Sequence, residues 1–184
     1  MSQRKKEKKM EFKKLIDERR SVRRYSSGIN REDLEKILRA AQRAPSWGNR
    51  QASRCYAVTD EEIVEKLRKA ALPASNQNNS ANAVLVVTTF EKGVVGFRDG
   101  EPANEIGDGW GAYDLGLHDA YMILAAKDLG YDTLIMGMRD SEAIRDIIGI
   151  PESEEILSVI AVGKRDEEPS VRPRKEFDEV VRFI

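Results

Sequence analysis

The densest concentration of chemistry-bearing residues is Arg19-Arg20-Ser21-Val22-Arg23-Arg24-Tyr25, which packs four arginines and a hydroxyl into the six residues from Arg19 to Arg24. Alternate side chains of an extended segment project to one side, so Arg19, Ser21 and Arg23 would present two guanidinium forks and a hydroxyl together. Such forks match the geometry of a phosphate or an anionic ring. A second small cluster, Arg172-Pro173-Arg174-Lys175, lies near the other end of the chain, with Pro173 holding it extended. Convergence of both clusters on one anion would make a phosphate-monoester site. On charge alone, two solvated turns in a charge-rich chain read equally well.

Other candidates carry less. Gly107-Asp-Gly109-Trp-Gly-Ala112 satisfies the G-x-G-x-x-G/A pattern, but a dinucleotide site needs a buried strand directly before it. The preceding residues 98–105 are polar and rich in breakers, which favours a loop feeding a helix. No G-x-x-x-x-G-K-[ST] sequence occurs. Asp114 and His118, four apart, would share a helix face with Asp119 beside them, as metal ligands or an acid/base pair. The plainer reading is the polar edge of a buried helix, and no G-x-S-x-G elbow exists to complete a triad. Cys55 falls within a strand pattern as a small core residue. The basic arm Arg4, Lys5, Lys6, Lys8 and Lys9 reads as a solvated, disordered terminus over residues 1–10. It lacks the interleaved aromatics of a nucleic-acid binder.

Positioning these groups falls to interleaved helices and strands. Phe12, Leu15, Ile16 and Arg19 follow helical spacing, and the helix runs out near Arg20. Asn30 caps a second helix through Leu34, Ile37, Leu38 and Ala41, stopped before Pro45. Residues 54–59 read as a strand, and Thr59 with Glu62 as a capping box opening a third helix to Ala71. Residues 73–82 are polar loop or frayed helix. Residues 83–90 form a Val- and Thr-rich buried strand. Residues 91–111 hold six glycines and read as an exposed excursion. From Ala112 to Leu129 the pattern is apolar nearly all round, the mark of a helix at the domain centre or at a large subunit contact, with Gly130 as its stop. A strand over 131–136, a short helix capped by Asp140 and ending at Gly149, and a strand over 156–162 complete the pattern, so the class is mixed α and β.

Composition narrows the function. At 184 residues the chain is sized for one domain, here 11–184. Its 31 basic and 32 acidic side chains nearly cancel, against a whole-surface nucleic-acid binder. One cysteine excludes an intrachain disulfide and a Cys-rich metal site, and one histidine excludes a multi-histidine site. The longest apolar run, residues 83–87, is far short of the roughly 20 residues of a membrane span. A soluble, cytoplasmic protein is expected.

Across most of its length the sequence resembles the nitroreductase family of flavin mononucleotide (FMN) enzymes. An opening R-x-S-x-R-x-[FY] signature stands as Arg19, Ser21, Arg23 and Tyr25. A helix ending in A-A-x-x-A-P-S-x-x-N-x-Q stands as residues 40–51, with Pro45, Ser46, Asn49 and Gln51. Asn76-Gln77 precedes the apolar strand, Asp114-Leu-Gly116 opens the apolar helix, and Ala125-Ala-Lys-Asp-Leu-Gly130 closes it. The match continues through Met136-Gly137, Ile147–Pro151, residues 159–163 and Arg172-x-Arg174.

The resemblance implies an α+β fold of three α/β/α layers with a mostly antiparallel central sheet, and a homodimer holding FMN at the subunit interface. It implies FMN-binding residues Arg19, Arg20, Ser21, Arg23, Gln51, Asn76, Asn79, Met136, Gly137, Arg172 and Arg174, with Pro45, Ser46 and Asn49 approaching from the partner subunit. The implied reaction carries hydride from NAD(P)H through FMN to a nitroaromatic, quinone or similar small acceptor by ping-pong exchange, with no catalytic side chain. Related chemistries of the fold, reductive dehalogenation or flavin fragmentation, are the alternative, followed by a non-enzymatic basic-armed binding protein. The sequence departs from the family at Ala52-Ser53, where Pro-Trp is common, and at Asn79, where many members carry Lys. Its short 91–111 segment implies a more open pocket.

Overall fold

The computed structural model describes residues 11–184, so the basic arm proposed for 1–10 lies outside the described residues. Strand β3 (Val84–Glu91) shows why this sequence builds two cores. Its Leu85 and Val87 face one side with Leu67, Ile144, Val159 and Ala161. Val86 faces the other with Ile37, Met122, Ile160 and Val162. A strand apolar on both faces needs a helical layer on each.

Those layers are present. Helices α3 (Glu61–Ala71) and α6 (Ser141–Ile148) pack together on one face, and α2 (Arg31–Ala41) and α5 (Gly109–Asp128) on the other. The sheet is antiparallel throughout its named strands. Strand β7 (Glu154–Arg165) lies between β3 and β6 (Asp132–Met136), and β2 (Ser53–Val58) pairs with β3 on its outer side. The short β1 (Tyr25–Ser27) pairs with the end of β7, Tyr25 opposite Arg165. The three-layer α+β arrangement expected above is therefore present.

Local signals mostly acted where the sequence put them. The Asn30 side chain accepts the Asp33 amide at 2.9 Å, opening α2. Asp140 accepts from Ala143 at 3.0 Å, and α6 ends on left-handed Gly149. The α3 cap is a correction. Asp60, not Thr59, accepts the Glu62 and Ile63 amides, both at 3.0 Å, because a carboxylate one residue closer to the helix satisfies two orphan donors at once. The polar 73–82 stretch forms α4 (Ala74–Asn79). The 91–111 excursion contains a hairpin of β4 (Phe97–Arg98) and β5 (Glu101–Pro102). It is fastened back by Trp110 Nε1–H donating to Asn104 Oδ1 at 2.9 Å.

Candidate functional site

The two arginine clusters meet. Helix α1 (Phe12–Glu18) stops at Arg19, whose backbone is extended. Val22 is then buried completely, and its amide donates to Thr133 O at 3.1 Å beside β6. With Val22 pinned inward, Arg19, Ser21 and Arg23 turn outward, as alternation requires. From the other end of the chain, the Asp166 amide donates to Arg24 O at 2.9 Å. The Glu167 carboxylate accepts the Arg23 amide at 2.7 Å. These two bonds lay the tail along the N-terminal segment. Between them opens a cavity of about 430 Å³ lined by Arg19, Arg20, Ser21, Arg23, Arg172 and Arg174, with Asp17, Glu167 and Glu168 in its wall.

The charge in this cavity is only partly compensated. Arg20 donates through Nη1 alone to the carbonyls of Asp17 and Arg19, at 2.6 and 2.8 Å. Arg23 turns toward Ser21 O at 3.3 Å. Among the described residues, no carboxylate pairs with Arg19, Arg172 or Arg174. Partial burial holds the Arg19 guanidinium below its ordinary range, and the like charges of Arg174 and Arg20 push the same way. Unpaired guanidiniums beside a hydroxyl are the donor set of a phosphate-monoester site.

The Pro45–Gln51 loop lies elsewhere. It contains a 3-10 turn over Trp47–Asn49, with left-handed backbone at Gly48, Asn49 and Gln51 (φ 55°, 56° and 51°). Such a conformation in non-glycine residues persists only where the surroundings over-determine it. Here Ser46 Oγ accepts the Gln51 amide at 3.0 Å, and the buried Asp114 carboxylate accepts the Trp47 amide at 2.8 Å. Pro45, Ser46 and Gln51 line a cavity of about 670 Å³ that reaches Cys55 and His118. A smaller apolar cavity of about 260 Å³ lies between Pro45, Trp47, Trp110 and Tyr113.

A third group gathers at the end of β6. Asn76 Nδ2–H donates to Met138 O at 3.0 Å. Gly137 and Met138 line a shallow cavity of about 510 Å³ with Leu72, Pro73 and Arg139. The Met136 side chain itself is in the core beside Ile144 and Val159. Asn79 is half-buried at the end of α4. Ser21 bridges Thr133 on β6, and Met136 is three residues further along, about 10 Å of extended chain. The arginine cavity and the Asn76–Gly137 corner therefore share one strand edge, while the Pro45–Gln51 loop lines neither.

His118, Asp119 and Cys55 form a largely buried polar cluster with Thr88 and Ser158. His118 Nε2 is 3.8 Å from Cys55 Sγ, and His118 Nδ1 is 3.2 Å from Asp119 Oδ1. Asp119 accepts from Thr88 at 3.1 Å, and Thr88 meets Ser158 at 2.9 Å. Burial, with the Asp119 charge adding to it, pushes the Cys55 thiol up to about 12. A protonated thiol is a poor nucleophile. Sequence reasoning missed the role of Asp114. Its signal was a lone acid on the apolar helix, but the loop it fastens is 67 residues away.

Comparison with known proteins agrees with this architecture. The nitroreductase family model matches residues 16–164. A protein of Archaeoglobus fulgidus named as an NADH dehydrogenase/NAD(P)H nitroreductase is 32% identical over 140 residues, 73% of this chain and 74% of that one. The structure of a Staphylococcus epidermidis protein named as an NAD(P)H:FMN oxidoreductase superposes with a TM-score of 0.82 at 22% identity, over 98% of this chain and 99% of that one. A protein of Exiguobacterium sibiricum named as a nitroreductase, solved in complex with FMN, gives a TM-score of 0.79 at 19% identity, over 95% and 98% of the two chains. Among the described residues no helix is long and apolar enough to cross a membrane, and no group of His, Cys, Asp and Glu is arranged to hold a metal ion. With its family match spanning residues 16–164 on a three-layer α+β frame, the chain belongs to the nitroreductase family and is an oxidoreductase.

Proposed function

We propose that this protein is an FMN-dependent NAD(P)H oxidoreductase that reduces nitroaromatic, quinone or similar acceptors. The observation that carries this reading is the set of guanidiniums without an ion pair among the described residues, Arg19, Arg172 and Arg174, at one cavity with the Ser21 hydroxyl. A phosphate monoester brings nearly two negative charges and three acceptor oxygens, which is the complement of that donor set. Arg19, Arg20, Ser21, Arg172 and Arg174 would hold the phosphate. Asn76, Asn79 and the backbone at Met136–Gly137 would face the remainder along the β6 edge. Arg23 would place a guanidinium by the pyrimidine edge, where negative charge accumulates on two-electron reduction.

When bound, FMN supplies the two-electron relay between nicotinamide and acceptor. The chain's own task is to bind, orient and exclude water, so no side chain need act as nucleophile or base. Donor and acceptor would use one face in turn, giving ping-pong kinetics. The loop carrying Pro45, Ser46 and Asn49 lines neither the arginine cavity nor the cavity at Gly137 of its own protomer, which supports a homodimer whose partner supplies it. Exposed apolar side chains at Tyr121, Phe177 and Phe183 support the same assembly.

The test is an anaerobic titration. The purified protein should be yellow, bleach with NADH or NADPH, and recover its colour on addition of a nitroaromatic. A colourless protein that takes up no FMN would overturn the reading.

A further inference from the structure

The smallest of the cavities has a character the others lack. Trp47 and Trp110 meet edge to face, with ring centroids 4.7 Å apart and planes at 78°. Trp110 and Tyr113 repeat the arrangement at 5.6 Å and 70°. With Pro45 and Leu117 they line an open cleft of about 260 Å³, room for one or two fused rings. Trp47 is 40% exposed and Tyr113 60% exposed, so both leave ring surface free to stack.

No basic residue lines the slot itself; its one charged residue is Asp114, in the wall shared with the larger cavity, whose lining also carries Arg39, Arg43, Arg54 and His118. One oxygen of that carboxylate accepts the Trp47 amide at 2.8 Å. Among the described residues the other oxygen has no hydrogen-bond partner, and no Lys, Arg or His forms an ion pair with Asp114. Asp114 is 4% exposed, so solvent screens its charge poorly.

We infer that this aromatic slot is a specificity-determining site that accepts neutral planar rings and rejects anionic ones, with Asp114 as the discriminating charge. An aromatic guest gains stacking and apolar contact from Trp47, Trp110 and Tyr113 whatever its substituent. A carboxylate or sulfonate on that guest would stand beside a like charge that no cation of the described residues pairs, and the repulsion would offset the stacking. The inference rests on the oxidoreductase reading only for the guest's role as electron acceptor. Ring binding itself does not depend on it.

Equilibrium dialysis of the purified protein with 4-nitrobenzamide and 4-nitrobenzoate, two guests of near-identical shape, tests this directly. The neutral amide should bind at least tenfold more tightly. Asp114→Asn keeps an oxygen for the Trp47 amide but removes the charge, and should bring the ratio below threefold by tightening the acid. Tyr113→Ala, at an exposed position, should weaken both guests together and leave the ratio standing. Equal affinities in the wild type, failure of both guests to bind, or a ratio that survives Asp114→Asn would each overturn the inference. Visible absorbance of the same samples reports flavin separately. A yellow protein without discrimination sinks the slot and leaves the FMN reading intact, whereas a colourless protein that discriminates does the reverse.

Discussion

Replacing Arg19 and Arg174 together with alanine tests the electrostatic logic of the cavity. A hydrogen bond to a charged group contributes about 1.5–3 kcal/mol net. Loss of both guanidiniums should therefore cost about 3–6 kcal/mol of FMN binding, roughly 10²- to 10⁴-fold in Kd. The single variants need not add up to the double, because the two side chains repel one another and would share one phosphate. The repulsion also fixes the sign of the effect on the empty protein. Burial and the charges of Arg174 and Arg20 act against the protonated Arg19, so removing that charge should leave the melting temperature of the apoprotein unchanged or slightly raised. Arg19 is only half-buried, and solvent keeps that gain small. The assay is quenching of flavin fluorescence on titration with apoprotein, at two salt concentrations, because the wild type should lose affinity with salt more steeply than the variant. Replacing both residues with lysine should recover only part of the affinity, since the charge returns without the planar fork. An Arg19→Ala, Arg174→Ala protein that melts normally and retains FMN within threefold of the wild type would refute the reasoning.

Two further outcomes follow from the core. Cys55, held protonated up to about pH 12, has a folded pKa above its unfolded one. It therefore contributes its full stability below about pH 9 and loses it as the pH rises toward 12. Urea midpoints should fall with pH across that window more steeply for the wild type than for Cys55→Ala, and equal slopes would show that the thiol is not linked to folding. Gly111 lets α5 approach β3 closely, since an added Cβ would lie 2.3 Å from the Phe90 ring. Gly111→Ala should cost about 1–3 kcal/mol through overpacking, visible in calorimetry as a lower melting temperature, and an unchanged one would mean that the ring can move aside.

What the sequence disclosed follows from the range of the forces involved. Helices α2, α3 and α6 and strands β3 and β7 carry local signals, namely apolar periodicity and capping side chains, so their existence could be read directly. The cap of α3 went to Asp60 rather than Thr59, because two neighbouring residues both suit the position and only backbone geometry decides between them. The β4–β5 hairpin escaped because each strand has two residues and no apolar face. Convergence of Arg19 with Arg174 was anticipated from residue chemistry, yet what enforces it, Glu167 on the Arg23 amide, is a contact between residues 144 apart. No local pattern encodes a bond of that span. Asp114 illustrates the same limit, since its partner is a backbone amide and backbone amides leave no mark in a sequence.

The partition of the candidate site between the two helical layers leads to the sharpest test of assembly. The Asn76–Gly137 corner and its cavity are built by α3, α4 and the end of β6, whereas the Pro45–Gln51 loop extends α2 and is tied by Asp114 to α5. These layers lie on opposite faces of one sheet. A single cofactor touching both sets must take one of them from another copy, which is what a two-fold dimer with two equivalent sites provides. Consider a protein lacking Arg19 and Arg174 and another carrying Ser46→Leu and Asn49→Leu in the loop. Either alone has every site defective. A mixed dimer has one site with both defects and one with neither, so random remixing after joint refolding should restore about a quarter of the wild-type FMN-binding capacity. If each protomer built its site from its own loop, mixing would restore nothing, and flavin content of the refolded mixture would distinguish the two arrangements.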